Sequence, residues 1–394
     1  NDSRDAFVRG AGVSVYNDQS DVTFDSCLFA DNEILGNSIH NNGSNVVFGY
    51  GSAIFLNEGV VNITNSEIAN NKYTNNGYQF SLHGALYTRE NSATFNIEGS
   101  TIAYNVDSGI YHGSGDIDLT NTIVWGNGSN NTGGIDYSYC NVQGMGTNDQ
   151  GNIGINPWFV DPENQDYSLL PGSVCINRGT PEDTDPDGTR RDMGCYIYED
   201  TYQGDDWYVS ASGDVLAGSG SSGNPLSSIQ AAINLADEGD NVIVEEGIYT
   251  GEGNHDIYFL GKALTVSSSG EAENTIIDLE AINGDRGFEI YPRGSYPGAT
   301  AETIIDGLTI QNGYIETSNA KGAGIYIFDS SPTFQNCIIR DHRTYHDSCD
   351  QYVYASGLWI DKSSSTFTNC KILNNESEAR LSCNDSRDAF VRGA

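Results

Sequence analysis

The sequence predicts an all-β solenoid, a parallel β-helix, and three observations lead to that prediction. Short segments in which apolar and polar residues alternate recur along the chain, which is the pattern of half-buried strands. Turns rich in Gly, Asn, Asp and Ser separate these segments. A segment of eleven residues, 1–11, is repeated without change at 384–394.

The alternating segments align with one another as repeats, and we call each repeat a rung. One column of equivalent positions reads Cys337, Cys370, Cys27, Ser66, Ser100 and Asn121. A second column, farther along each rung, reads Asn375, Asn32, Asn71 and Asn105. Strands this short cannot bury a core alone, whereas about eleven rungs stacked in parallel at about 4.8 Å can. We therefore interpret both columns as ladders of side chains that satisfy one another's hydrogen bonds.

The repeated segment indicates a period. If residue 384 is residue 1 of a next copy, one period spans residues 1–383. The first column then passes from Cys370 to the Cys27 of the next copy much as it passes between rungs inside the chain. We expect both ends of the sequence to be cut points within a longer periodic protein.

One segment predicts a short α-helix at about 227–237. Ser227 and Gln230 have the spacing of a capping box, and Gly239 is a stop signal. Its apolar face consists of Ile229, Ala232, Ile233 and Ala236. A helix before the first rung is expected to cover the open end of a solenoid core.

Two groups of motifs resemble a known family. The segment from Trp207-Tyr-Val-Ser to Gly247-Ile-Tyr is similar to its N-terminal cap and first coil. The segments Asn156-Pro-Trp-Phe-Val-Asp, Pro171-Gly-Ser-Val-Cys-Ile and Asp185-Pro-Asp-Gly-Thr-Arg-Arg-Asp-Met-Gly are similar to its C-terminal signature. The family is the secreted bacterial right-handed parallel β-helix repeat proteins, which share the pectate-lyase-like solenoid. The resemblance implies a right-handed coil and an extracellular, secreted or cell-surface, bacterial protein.

The order of these motifs predicts the domain organisation. The C-terminal signature, within 153–198, precedes the cap-like segment. Residues 1–200 are therefore predicted to be the C-terminal part of one β-helix domain, and 201–206 a linker. Residues 207–394 are predicted to be the cap and first coils of the next domain, with 384–394 repeating 1–11.

Composition excludes several functional classes. Eighteen Lys and Arg stand against 54 Asp and Glu, a net charge of −36, so nucleic acid is not an expected partner. No apolar run is long enough for a membrane span. The eight cysteines and several Asn-X-Ser/Thr sequons are compatible with an oxidising extracellular setting.

The sequence does not predict catalysis, although the resembled fold hosts pectin lyases and polygalacturonases. A lyase of that kind needs calcium carboxylates beside an Arg or Lys base, but the Lys residues are scattered and the Arg residues show no matching cluster. A polygalacturonase needs paired Asp residues within family motifs. Only His83-Gly84 and His112-Gly113 occur, without their companions.

Calcium is the one cofactor that the sequence suggests. Asp183, Asp185 and Asp187 have the opening spacing of an EF-hand-type loop. Its last ligand position falls on Gly194, for which Asp192 could substitute. The alternative is a solvated acidic turn.

Covalent modification is predicted at two kinds of site. Cys349 and Cys383 occupy equivalent loops of successive rungs and are predicted to form a disulfide, and Cys140 with Cys175 is a weaker pair. The sequons that could carry glycans are at Asn1, Asn42, Asn62, Asn127, Asn130 and Asn375.

These observations favour an extracellular structural fibre or stalk, non-catalytic, built of tandem β-helix domains that join copies of themselves end to end. The alternative is an adhesin or glycan-binding stalk that grips surface glycans with Tyr- and Trp-bearing loops such as Asp347–Tyr354. A third interpretation is a degenerate polysaccharide lyase.

Overall fold

The structure is a computed structural model, and it describes residues 6–36, 47–75, 80–129, 134–146, 148, 150–294, 296–347, 352–380 and 390–392. The chain divides into two compact units. Unit 1 comprises residues 1–169 and 173–199, and unit 2 comprises residues 170–172 and 200–394.

The described strands of unit 1 are short, and one 3-10 turn, Pro162–Asn164, accompanies them. They are β1 (Ala6–Arg9), β2 (Val13–Val15), β3 (Asp21–Asp25), β4 (Leu28–Ala30), β5 (Glu33–Gly36), β6 (Val47–Tyr50), β7 (Ile54–Leu56), β8 (Gly59–Thr64), β9 (Glu67–Ala69), β10 (Lys72–Asn75), β11 (Phe80–His83), β12 (Leu86–Thr88), β13 (Ala93–Glu98), β14 (Thr101–Ala103), β15 (Ile110–His112), β16 (Asp116–Thr120), β17 (Ile123–Trp125), β18 (Asp136–Ser138), β19 (Asn141–Val142), β20 (Phe159–Asp161) and β21 (Asp166–Leu169).

Unit 2 contains one described α-helix, α1 (Ile229–Leu235), and a 3-10 turn, Ala272–Asn274. Its strands are β22 (Asp206–Val209), β23 (Asn241–Val244), β24 (Gly247–Tyr249), β25 (Thr265–Ser268), β26 (Thr275–Asp278), β27 (Phe288–Ile290), β28 (Ile304–Asp306), β29 (Thr309–Gln311), β30 (Tyr314–Glu316), β31 (Ile325–Phe328), β32 (Thr333–Gln335), β33 (Ile338–Arg340), β34 (Arg343–Asp347), β35 (Tyr352–Tyr354), β36 (Leu358–Asp361), β37 (Thr366–Thr368), β38 (Lys371–Leu373), β39 (Glu376–Arg380) and β40 (Phe390–Arg392).

Both units are all-β and consist of stacked, mostly parallel sheets, an architecture compatible with a β-helix-like solenoid. In unit 1 the order β18-β16-β13-β8-β3 is one sheet and β19-β17-β14-β9-β4 is another. In unit 2 the largest sheet is β22-β23-β25-β28-β32-β37. Each rung contributes one strand to a sheet of its unit. The five strands of unit 1 and the six strands of unit 2 together give eleven, which agrees with the prediction of about eleven rungs. The hairpin β20–β21 is antiparallel.

The core is formed by alternate residues of each strand. In β8 and β13 the side chains alternate between buried and partly or fully exposed positions. Parallel registry stacks buried residues on one another, as where Phe95 lies between Val61 and Ile117. Each such side chain, fully removed from water, contributes about 1.5–3 kcal/mol.

Turns between strands use a column of left-handed residues. Ser26, Asn65, Gly99 and Asn121 have φ of 54°, 48°, 53° and 52°. Gly, Asn and short polar residues tolerate this conformation best. Asn121 therefore belongs to the turn column, and its predicted place in the Cys and Ser ladder is wrong by one residue.

The unit 1 part of the ladder, Cys27, Ser66 and Ser100, is confirmed, with Thr122 in the next place. The Cys27 N–H donates to Ser66 Oγ at 2.9 Å, and the Ser66 N–H donates to Ser100 Oγ at 3.2 Å. The next bond runs from the Ser100 N–H to Thr122 Oγ1 at 3.4 Å. The rungs also continue beyond residue 133, because β18 and β19 add strands to the two sheets.

The unit 1 part of the asparagine ladder, Asn32, Asn71 and Asn105, is confirmed as well. Asn32 Nδ2 donates to Asn71 Oδ1 at 2.9 Å, and Asn71 Nδ2 donates to Asn105 Oδ1 at 2.9 Å. The same Oδ1 atoms also accept the backbone N–H of the preceding rung. A further member, Asn127, accepts from Asn105 Nδ2 at 2.8 Å. Each amide oxygen thus accepts a backbone N–H in a turn, in place of the carbonyl oxygen that would accept it within a strand.

Unit 2 places a histidine in the equivalent ladder. His342 Nδ1 accepts the Gly313 N–H at 2.9 Å, and its Nε2 lies 3.1 Å from the Ile310 carbonyl oxygen. The His342 N–H in turn donates to Asn375 Oδ1 at 3.1 Å. The ring acts as an asparagine amide does, with one acceptor and one donor. Burial lowers the pKa of His342 from 6.5 to about 4.

The predicted helix is present, but its cap differs. Ser228, not Ser227, is the N-cap, and its hydroxyl accepts the Ala231 N–H. Gln230 is buried and does not complete a capping box, because its side chain bonds to Asn234 and Tyr258 instead. The helix packs against β22 and β23. Among the described residues no helix is long and apolar enough to cross a membrane.

A lysine closes the other end of α1. Lys262 Nζ donates to the carbonyl oxygens of Ile233, Asn234 and Ala236 at 2.8, 2.8 and 2.5 Å. A cation at this end satisfies carbonyls that have no partner within the helix and favours the helix dipole.

The substitution Asn105→Ala is expected to destabilise unit 1 by about 2–4 kcal/mol, because the buried Asn71 N–H loses its acceptor and the Ile68 carbonyl loses the Asn105 amide donor. Denaturant unfolding measures the loss. The control is Asn96→Ala, which removes an exposed amide contact to Asn62 and should cost less than about 0.5 kcal/mol. Equal losses in the two variants would contradict a ladder role.

Acid should destabilise unit 2 through His342. Because its folded pKa is about 4 rather than 6.5, only the unfolded chain binds this proton in that range. The contribution of neutral His342 to the free energy of unfolding is therefore fully present above pH 6.5. It falls as the pH approaches 4, by at most about 3 kcal/mol. His342→Asn should reduce this slope in denaturant unfolding at several pH values, whereas the control His346→Asn should retain it. An unchanged slope in His342→Asn would refute the assignment.

Candidate functional site

The predicted calcium residues lie in one loop of unit 1, but they do not converge on a point. They are Asp183, Asp185, Asp187 and Asp192. Both oxygens of Asp192 accept backbone N–H groups, from Asn177 and from Tyr198, each at 2.7 Å. Asp185 Oδ2 accepts the Asp192 N–H at 2.7 Å. These carboxylates thus hold the loop together, and calcium binding there stays a prediction.

The cysteine predictions have different outcomes. Cys140 and Cys175 are buried free thiols, so the structure does not contain the disulfide predicted between them. Each sulfur has its own partner: the Cys140 thiol donates to the Ser138 carbonyl, and Cys175 Sγ accepts from Asn141 Nδ2. Burial raises the pKa of both thiols to about 12. Cys349 and Cys383 lie outside the described residues.

Three of the sequons can be placed. Asn127 is buried in the ladder, where its Nδ2, the atom to which a glycan is attached, donates to the Ile102 carbonyl at 3.0 Å. Asn375 Nδ2 likewise donates to the Ile339 carbonyl at 3.2 Å. Asn62 lies on an exposed strand face and donates to Asp21. The sequons at Asn1, Asn42 and Asn130 lie outside the described residues.

A groove of about 680 Å³ lies in unit 1. Its polar groups are bonded to one another. Glu67 accepts from the Tyr196 hydroxyl, and Arg191 Nη2 donates to Asn65 Oδ1 at 2.8 Å. Burial raises the pKa of the Glu67 carboxyl.

A cleft of about 370 Å³ in unit 2 combines aromatic and charged side chains. We call it the aromatic–cation cleft, and its lining residues are Arg286, Glu289, Tyr291, Asn319, Lys321, Tyr326 and Phe328. Sites of this composition are typical of small-ligand and sugar recognition, because they offer apolar faces together with several hydrogen-bonding groups.

Strand registry builds the floor of the cleft. Glu289, Tyr326 and Trp359 occupy equivalent positions on β27, β31 and β36. Their neighbours on each strand, such as Phe288 and Ile327, point into the core. The outward side chains therefore stack, and the rings of Tyr326 and Trp359 lie 4.8 Å apart at an interplanar angle of 18°.

The cations of the cleft are held in place. Arg286 Nη1 and Arg293 Nη2 bind opposite oxygens of Glu289 at 2.8 and 3.0 Å. The Arg286 guanidinium lies 5.4 Å from the Tyr326 ring centre, and Lys321 Nζ lies 4.4 Å from that of Trp359. Such contacts fix long side chains that are otherwise mobile.

The tyrosine hydroxyls remain neutral hydrogen-bonding groups. Burial raises the pKa of both Tyr291 and Tyr326. At neutral pH both can donate to and accept from the hydroxyls of a ligand.

The sequence did not predict this cleft. Among the described residues of the loop proposed for glycan contact, 347–354, Tyr354 reaches the edge of the cleft, with its ring centre 5.0 Å from Lys321 Nζ. The signal that could have identified it is the alignment of Glu289, Tyr326 and Trp359 at one outward position of three rungs.

A second candidate site lies at the edges of the sheets. The repeated segment forms β1 in one copy and β40 in the other. In β1, Phe7–Arg9 pair with Phe48–Tyr50 of β6. In β40, the identical residues Phe390–Arg392 pair with Tyr352–Tyr354 of β35. One three-residue strand thus has two different parallel partners.

The outermost rungs carry matching exposed residues. In unit 1 the strands β2 to β5 are each last in their sheets, and in unit 2 so are β36 to β39. Leu28 is 67% exposed on one side, and Ile372 is 51% exposed on the other. Both rungs have left-handed turns at equivalent positions, as at Ser26 and Asn369, each with φ of 54°.

Comparison with known proteins adds no relative. No family model matches the chain, and neither curated proteins nor solved structures give a significant match. The proposals that follow therefore rest on the chain's own geometry.

Proposed function

We propose that the chain is one period of a right-handed parallel β-helix that continues end to end into a non-catalytic extracellular fibre or stalk. The observation that carries the proposal is the double pairing of the repeated strand. If residues 7–9 and 390–392 stand for the same strand of a continuous solenoid, that strand lies between 352–354 on one side and 48–50 on the other.

The end rungs support the same junction. Aligning Cys370 with Cys27 places Phe367 on Phe24 and Asn375 on Asn32. Phe367 already stacks on Phe334 at 5.0 Å, so the junction would extend an existing column. Exposed apolar residues on both rungs would become buried, and free strand edges would become paired.

Charge is compatible with this role. A net charge of −36 per chain keeps separate fibres apart and hydrated, whereas the stacking of rungs depends on backbone hydrogen bonds and apolar contacts that charge disturbs little.

Removing residues 384–394 should promote association. The full chain carries the repeated strand twice, so one copy must be displaced before end rungs can meet. A variant lacking 384–394 should associate at lower protein concentration, as seen by analytical ultracentrifugation. Fibre diffraction should show a 4.8 Å reflection, and electron micrographs should show an axial repeat of about 50–55 Å.

The matched controls are charge substitutions in the same shortened chain. Ile372→Lys with Leu373→Lys places two charges on the end rung and should prevent association. Ile248→Lys places a charge on another exposed strand and should not. A shortened chain that stays monomeric at every concentration would contradict the proposal.

Glycan binding at the aromatic–cation cleft is a second candidate function. It is favoured by the tyrosine hydroxyls, the Asn319 amide and the Arg and Lys donors that line one open cleft. A pyranose ring presents hydroxyls and apolar C–H faces that match such a lining.

A glycan array at physiological salt should identify a ligand for the full chain. Tyr326→Ala and Lys321→Gln should each weaken its binding about tenfold, which corresponds to about 1.4 kcal/mol. The control Tyr314→Ala changes a tyrosine on a different sheet, bonded to Glu316, and should bind as the wild type does. No binding, or equal losses in all three variants, would exclude this function.

A further inference from the structure

Three side chains in unit 2 converge beside the aromatic–cation cleft. They are His255, Asp256 and Asp285, and within the described ranges they are the group of three possible metal ligands whose atoms all lie within 4.8 Å of one another. His255 Nδ1 lies 3.1 Å from Asp256 Oδ2 and 3.8 Å from Asp285 Oδ2. None of the three was identified from the sequence.

The backbone holds two of these residues firmly. Asp256 has a left-handed φ of 50°, and its N–H donates to the Arg286 carbonyl at 2.5 Å. Asp256 Oδ1 accepts the Arg286 N–H at 3.0 Å, which leaves Oδ2 directed towards His255. The following residue, Ile257, is fully buried and pairs with Phe288. The ligand atoms are thus presented by two adjacent, hydrogen-bonded segments.

The charges of the group are not balanced. Two carboxylates face a single imidazole, which can supply at most one positive charge. The Asp285 side chain is 19% exposed, and the ion pair that it forms among the described residues is with His255 at 3.8 Å, beyond hydrogen-bond length. A mostly covered carboxylate without a hydrogen-bond donor is an arrangement that a cation would stabilise.

The spacing fits a small divalent cation. An imidazole nitrogen and carboxylate oxygens bind Zn²⁺ at about 2.0–2.2 Å, so tetrahedral ligand atoms lie about 3.3 Å apart. The distances of 3.1 and 3.8 Å from His255 Nδ1 lie on either side of this value, and the three ligand atoms all lie within 4.8 Å of one another. Calcium instead takes 6–8 oxygen ligands and is disfavoured by the imidazole.

We propose that His255, Asp256 and Asp285 bind one divalent transition-metal ion of the Zn²⁺ or Mn²⁺ class. Three protein ligands leave at least one coordination position for water or for an oxygen of a ligand. The ion would link the segment around His255 to the segment around Asp285. Asn254 also accepts the N–H of Ile229 at the start of α1, so the ion would brace the helix-bearing end of unit 2.

The test is equilibrium dialysis of the full chain, first freed of metal with EDTA, against Zn²⁺, Mn²⁺ or Ca²⁺ as chlorides. We expect one tight Zn²⁺ and one Mn²⁺ per chain, weaker Ca²⁺, and a higher melting temperature with the bound ion. Mn²⁺ is included because the half-exposed thiols Cys27, Cys195 and Cys370 also attract Zn²⁺ but are poor Mn²⁺ ligands.

His255→Gln and Asp285→Asn should each weaken Mn²⁺ binding about 100-fold and abolish the rise in melting temperature. His346→Gln and Asp237→Asn, the latter at an exposed carboxylate, are the controls and should leave both unchanged. Circular dichroism verifies that the variants fold; because Asp285→Asn keeps the shape of the side chain, a folded variant is expected. Mn²⁺ binding that survives both cluster substitutions, or that follows only the net charge of each variant, would overturn the proposal.

Discussion

The fold depends on hydrogen bonds that run from one rung to the next, and the turns are where these bonds are most at risk. Between strands, backbone N–H groups such as those of Asn32 and Cys27 donate to no carbonyl of the neighbouring rung and need a side-chain partner. The amide oxygen of Asn71 or Asn105 supplies one, and the hydroxyl of Ser66 does the same in the other column. These side chains fix the register, and the register determines which residues become neighbours.

Register also creates the surface features. Residues far apart in the sequence, such as Tyr326 and Trp359, become stacked because they occupy equivalent positions of successive strands. The same rule brings Asp256 beside Arg286 and Asp285. In such an architecture, one outward-facing substitution at the equivalent position of each rung is enough to form a surface patch. The buried residues, and therefore the core, need not change.

The fold class and most of the columns could be predicted from the sequence because they depend on local alternation and on turn residues. The predicted ladder position of Asn121 was wrong by one residue, because the turn before Thr122 shifts the alignment of the rungs. The alternation of apolar and polar residues does not show how many residues a turn contains. The predicted N-cap of α1 was also wrong by one residue, because Ser227 and Ser228 are adjacent and serine is a residue type that caps helices. The aromatic–cation cleft and the cluster of His255, Asp256 and Asp285 depend on the path that each loop takes between rungs. The sequence shows how long a loop is, but its length alone does not determine which side chains meet.

The asparagine ladder has a direction. Each backbone N–H of the ladder donates towards the Oδ1 of the following rung, from Asn32 to Asn71 to Asn105. A fibre assembled by this contact is polar, with two chemically unlike ends and a head-to-tail interface that does not close into a ring by symmetry alone. Attachment at one end and growth at the other would then be separate reactions, each open to its own regulation.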